Sequence, residues 1–257
     1  MSWMAIKGNK NNEASFFRDR ANDLRNLETI LCAHFKGPEA NFTSLLVAAK
    51  ELDRIAESTN TPKTWGYCIR NLTLPLGTIR HIEPEPHDIV ARICIDCEIE
   101  SDIEVWRKNS MDPFVSYAFR LKVIGERGGI KYSWGIHLEK VSPKEKESNE
   151  WHPLYHMHFN GEPLEDLKKG KGFICMNTPR FVHYPLDIVL GVGFCLHSFY
   201  TKDQFNQLYY YNQCFSRLYK ASQKRILEPY YLAISNAINK AQNSWIDCDS
   251  LCPQIVL

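Results

Sequence analysis

The chain has 257 residues, 44% hydrophobic and 24% charged, which suffices for one large or two small domains with a real core. Its 31 basic and 30 acidic residues leave a formal charge of +1, so no global field draws it to nucleic acid or an anionic membrane, although a local basic groove stays open. No run reaches the roughly 20 apolar residues of a membrane span, and the nine cysteines, scattered with no secretory leader before them, predict free thiols in a reducing cytoplasm.

Residues 1–12 read as a polar leader. From Ala14 the positions Phe17, Leu24, Leu27 and Leu31 recur at helical spacing up to Gly37-Pro38. A second helix is predicted from about Asn41 to Glu57, on the stripe Leu45, Leu46, Ala49, Leu52 and Ile55. The two form a helical hairpin over 13–58.

Trp65 opens a change of character. Residues 65–74 suit a strand, and LPLGTIRHIEPEPHD reads as a proline-punctuated connection. From Asp88 to Glu100, Ile89, Ala91, Ile93, Ile95, Cys97 and Ile99 alternate with polar residues. Residues 114–124 alternate likewise, with Val115, Tyr117, Phe119, Leu121 and Val123 inward. After the turn GERGG, Tyr132, Trp134, Ile136 and Leu138 share one face and Lys131, Ser133, His137 and Glu139 the other. Such alternation predicts an antiparallel sheet of three or four strands over 65–141, covered on one side. Beyond a loop at 151–187, helices are predicted from Pro185, over 202–222, and from Pro229 to about Trp245, with a tail at 246–257. Helices, then a meander, then helices define an α+β fold, here one domain over 13–245.

The segment 151–187 concentrates chemistry-bearing side chains: His152, His156, His158, His183 and Cys175. Histidine and cysteine bind transition metals, move protons near neutral pH and form thioesters. If HPLYHMH is extended, His156 and His158 share a face; if helical, His152 and His156 do. A zinc or manganese site would draw on His152, His156, His158 or His183, and the alternative is hydrogen-bonded loop histidines. Cys175 follows Lys168, Lys169 and Lys171 and two glycines, a setting that favours a thiolate, while Phe173-Ile174 suit an inert buried cysteine. The pair Cys94/Cys97 has metal-motif spacing but lies within a strand, which turns residues three apart to opposite faces. Tyr209, Tyr210 and Tyr211 are read chiefly as core, and Arg217, Lys220, Lys224 and Arg225 as a solvated basic strip.

A helix, an antiparallel meander, His152-Pro153, Cys175 and a helix entered through Tyr184-Pro185-Leu186 together resemble the ubiquitin-conjugating enzyme family over roughly residues 87–222. The resemblance implies a thioester on Cys175, with His152 and the backbone near Asn177 shaping the site and His183 assisting proton transfer. It implies a ubiquitin-like protein and its activating enzyme as partners, and no cofactor. The chain departs from the family at Leu154, where the family has an asparagine, and in a longer interval between His152 and Cys175. Thioester transfer to an amine is thus the first expectation. A metal-dependent hydrolase or nuclease built on the histidines is the second, and a non-catalytic interaction subunit the third.

Overall fold

Two amphipathic helices lead the chain in the computed structural model, which describes residues 10–58, 62–81, 87–127, 130–141, 153–159 and 181–239. Helix α1 (Lys10–His34) buries Phe17, Ala21, Leu24, Leu27 and Leu31, the three-to-four-residue spacing of a helix with one apolar face. Helix α2 (Thr43–Ala56) lies against it and buries Leu45, Ala48, Ala49, Leu52 and Ala56.

Six strands follow among the described residues: β1 (Thr64–His81), β2 (His87–Asp102), β3 (Ser116–Arg127), β4 (Ile130–Lys140), β5 (Tyr155–Phe159) and β6 (Phe181–Val182). They lie in chain order, each antiparallel to the next. A five-residue helix, α3 (Ile103–Arg107), leaves β2, with Asp102 accepting hydrogen bonds from the Glu104 and Val105 N–H groups. This is the α+β architecture expected from the sequence, with more strands, because the segment after Val141 contributes β5 and β6. Strand β1 also outruns its expected end at residue 74. It continues past Pro75 through register shifts at Ile69/Leu72 and Pro75/Gly77, with Asn71 and Gly77 at φ 54° and 76°. Pro75 is tolerated there because β1 is an edge strand, where a missing N–H breaks no ladder.

One row across the sheet reads Ile69, Cys97, Phe119, Leu138 and Met157. Its first four members are buried and the fifth half-buried, so this face carries the core. Cys94 falls on the other face from Cys97, as strand geometry demands. Two residues expected inward are instead exposed, Val115 by 58% and Trp134 by 46%. Val115 precedes β3, and Trp134 sits at the sheet margin, where its ring meets those of Phe159 and Phe199.

The covering layer is α4 (Ile188–Phe199), α5 (Lys202–Tyr209) and α6 (Gln213–Asn239). The helix predicted over 202–222 is broken at 210–212. There Thr201 and Gln204 form a capping box for α5, and Asn212 Oδ1 accepts from the Phe215 N–H at the start of α6. Pro229 starts no helix but lies inside α6, between buried Ile226 and Tyr230, whose packing offsets the cost of about 3 kcal/mol that an interior proline carries through its lost N–H and its ring clash. Tyr209 is half-buried as expected, whereas Tyr210 and Tyr211 at the break are exposed. Among the described residues no helix is long and apolar enough to cross a membrane.

Helix α4 reaches the sheet through missing side chains. A Cβ at Gly191 would lie 2.2 Å from Phe119 Cε2, and one at Gly193 2.1 Å from Tyr219 Cε2. Below, the Tyr117 and Tyr67 hydroxyls accept from the Leu186 and Ile188 N–H groups. Asp187 caps the helix by accepting from the Leu190 N–H, and its second oxygen takes the Ser222 hydroxyl of α6. Gly191→Val should therefore destabilise the protein by about 3 kcal/mol or more through overpacking against Phe119. Urea denaturation monitored by circular dichroism measures it, and a loss under 1 kcal/mol would contradict this packing.

Candidate metal centre

With the helices on one face, the opposite face of β4 and β5 collects four chemistry-bearing side chains. His137 and Glu139 are two apart on β4, and His156 and His158 two apart on β5, so each pair points the same way. The register sets His137 opposite His158 and Glu139 opposite His156. A rectangle of three imidazoles and one carboxylate results, with cross-strand Cβ atoms roughly 5 Å apart.

Glu139 is the hub. Its Oε1 lies 3.1 Å from His158 Nε2 and 3.3 Å from His156 Nε2, and its Oε2 lies 3.6 Å from His137 Nε2. The rings of His137 and His158 have centroids 4.9 Å apart. One ligand atom each from His137, Glu139 and His158 falls within 4.8 Å of the other two. Atoms bound to one tetrahedral ion at 2.0–2.2 Å stand roughly 3.3–3.5 Å apart, so modest rotamer adjustment brings these three onto a common centre.

The burial is unusual for a face without core. His156 is fully buried and His137 is 8% exposed. The Nε2 atoms of His137 and His158 are cut off from solvent, and both face the Glu139 carboxylate, His158 at 3.1 Å and His137 at 3.6 Å, so the inner nitrogens of the cluster are shielded from water. His156 Nδ1 stands 3.2 Å from the Pro153 carbonyl oxygen, which fixes a proton on Nδ1. Its Nε2 faces Glu139 Oε1 at 3.3 Å, a contact that either a proton or a metal ion can bridge. Such a carbonyl contact on the outer nitrogen is the usual device for orienting a metal-binding imidazole.

The electrostatics keep the ligands in their binding forms. Burial, with help from Arg120, drives the His137 imidazolium down to about 4 from 6.5, so the ring is neutral at neutral pH. The approach of His156 and then His158 holds the Glu139 carboxyl far below its usual 4.5. Arg120 lies directly opposite His137 on β3, completing a row of Arg120, His137 and His158 across three strands.

Of the expected site residues, the structure brings His156 and His158 together. His183 is elsewhere: its Nδ1 donates to the Tyr184 carbonyl, 2.6 Å away, and its ring packs on Tyr184 and on Phe194 of α4. His156 pairs with Val182, which turns the next residue, His183, to the helix-covered face. Burial lowers its basicity. His152, Cys175 and Asn177 lie outside the described residues. His137 and Glu139 complete the cluster although the sequence reading placed them only on a polar strand face; the available signal was two ligand pairs at i, i+2 on successive strands. No protein-family model matches the chain, and comparison with curated proteins and with solved structures found no significant match.

In metal-free protein these shifts make the fold sensitive to acid. Below pH 6.5 the unfolded chain protonates His137 while the folded chain resists until about pH 4, so stability present above pH 6.5 drains away across that window, by about 3 kcal/mol at most. The contribution of Glu139 holds above 4.5 and is lost at lower pH. Urea titrations of chelator-treated protein from pH 7.5 to 4 should show this slope, and His137→Leu should flatten it between pH 6.5 and 4.

Proposed function

We propose that this chain is a metal-dependent hydrolase, with a zinc ion held by His137, Glu139 and His158. The observation that carries the reading is the convergence of two imidazoles and a carboxylate on one sheet face, their ligand atoms within 4.8 Å of one another and the imidazole Nε2 atoms shut off from solvent. Two nitrogens and one oxygen suit zinc better than manganese, which favours oxygen-rich sets. Three protein ligands leave a coordination position open, the pattern of catalytic rather than structural zinc. When bound, the ion supplies Lewis acidity and a water that ionises near neutral pH.

The chain's own residues orient and select. His156, pinned by the Pro153 carbonyl, buttresses Glu139 Oε1 and fixes which carboxylate oxygen faces the centre. Arg120 borders the same face beside His137; its planar guanidinium suits the oxygens of a phosphate ester or carboxylate. The substrate is thus an anionic ester or amide, a class that includes phosphodiesters.

Thioester transfer is the second reading. It is supported by the order of a leading helix, an antiparallel meander and a helix entered through Pro185, and it requires a reactive Cys175, a ubiquitin-like partner and an activating enzyme. Cys175→Ser separates the two readings: it abolishes transfer and leaves metal binding and hydrolysis untouched.

Purified protein equilibrated with zinc should retain one ion per chain by plasma mass spectrometry after gel filtration. Outer partners of metal ligands typically contribute 10–100-fold to affinity, so removing a ligand by His158→Ala or Glu139→Gln should cost about 100-fold or more. His183→Ala should cost nothing. Hydrolysis of an activated phosphodiester should depend on the ion, and Arg120→Ala should raise KM more than it lowers kcat. Protein that retains no zinc, or zinc that survives both ligand substitutions, refutes the reading.

A further inference from the structure

A second cluster lies away from the metal centre, on the helix-covered side where α1, β1, α3, α4 and α6 meet. Arg20 and Asp23 come from α1, Trp65 from β1, Trp106 from α3, Asp187 from the cap of α4 and Arg225 from α6, and all six line one small cavity. Its two indoles are 3% and 4% exposed, with ring centroids 4.7 Å apart in an edge-on arrangement. The Arg225 guanidinium stands 5.9 Å from the Trp106 ring.

Three of the four carboxylate oxygens in this cavity are already committed. Asp23 Oδ2 takes Arg20 Nη2 at 3.1 Å and Arg225 Nη2 at 3.4 Å. Asp187 spends one oxygen on the Leu190 N–H and the other on the Ser222 hydroxyl. The donors are in surplus. Arg20 Nε and Nη1, Arg225 Nε, Trp65 Nε1 and Trp106 Nε1 are all buried, and none has a hydrogen-bond partner. Each such group left alone costs roughly 1–3 kcal/mol, so the fold tolerates them together only if something accepts from them.

We infer that this cavity is a binding site for a small monatomic anion of the halide class, chloride foremost. Size excludes polyatomic anions, and hydrogen-bond arithmetic selects a halide, which is somewhat larger than water and seats with a small outward shift of the partly exposed Arg20 and Arg225 side chains. The cavity has room for about one water-sized sphere, too little for a phosphate or a carboxylate group. A water molecule fits, but it accepts only two hydrogen bonds and brings two donors of its own into a cavity short of acceptors. A halide accepts from several directions and donates nothing. The two aspartates do not repel it decisively, because both are hydrogen-bonded and the two guanidinium groups balance them. Arg20, Asp23 and Arg225 keep side-chain exposures of 14%, 24% and 20%, which leaves a path from solvent. The bound ion would join the N-terminal helix, the edge strand and the C-terminal helix at one point.

The test uses the whole chain at constant ionic strength, exchanging sodium gluconate for sodium chloride or bromide. The expected result is a saturable rise in unfolding temperature and a matching saturable change in tryptophan fluorescence. Trp106→Phe keeps the ring and removes its N–H, and should weaken halide affinity about tenfold, as should Arg225→Gln; Trp134→Phe, at the far sheet margin, should not. Crystals of the unmodified protein grown in bromide should show an anomalous peak in the cavity within reach of the indole N–H and guanidinium groups, a result independent of any variant's folding. A response that never saturates, an affinity unchanged in Trp106→Phe, or a water in place of the anomalous peak would overturn the assignment.

Discussion

The seating of α4 on the sheet organises everything else. Gly191 lets the helix sit on the Phe119 ring and Gly193 admits Tyr219 from α6 on its other side, so helix, sheet and second helix layer lock at van der Waals distance. The Tyr67 and Tyr117 hydroxyls grip the backbone entering α4, and Asp187 ties its first turn to Ser222. These contacts commit one face of the sheet to the core. Because side chains alternate along a strand, the same commitment turns His137, Glu139, His156 and His158 to the opposite face. A one-residue slip of β5 against β4 would send both of its histidines into the apolar layer, so the core enforces the geometry of the centre.

Much of this was legible in the chain. The alternation from Ile89 to Ile99 fixed β2 and its buried face without ambiguity, and the run after Pro185 announced α4. Legibility failed where tertiary contacts outweigh local pattern. Pro75 and Gly77 look like a connection, yet pairing with β2 draws them into a strand; Pro229 looks like a helix start, yet buried neighbours carry α6 through it. At the site, His156 and His158 stood out by density alone. His137 and Glu139 did not, since an isolated histidine and glutamate on a wet strand face carry no signal until pairing places them beside β5. The pairing of β6 with β5 in turn explains why His183, close in sequence, is distant in role.

The two polar clusters show opposite ways of satisfying buried groups. In the His/Glu cluster the buried groups are three imidazole nitrogens gathered around one carboxylate, an arrangement suited to a cation. In the cavity between α1 and α6 they are N–H bonds, which call for an anion. Neither cluster would form for stability alone, since apolar residues of similar volume would pack more cheaply.

The irregular edge of β1 has a consequence for solubility. A long outer strand offers free backbone groups to any passing chain, and natural sheets suppress that hazard by interrupting the edge. Here Asn71 in its left-handed conformation, Pro75 and Gly77 break the edge, and the α1–α2 linker seals it further, with Asn41 exchanging two backbone hydrogen bonds with Thr73 at 3.1 and 2.8 Å. What reads in the sequence as a run of turn residues thus serves as a terminator, stopping the six-stranded sheet from recruiting a seventh strand from a neighbouring molecule.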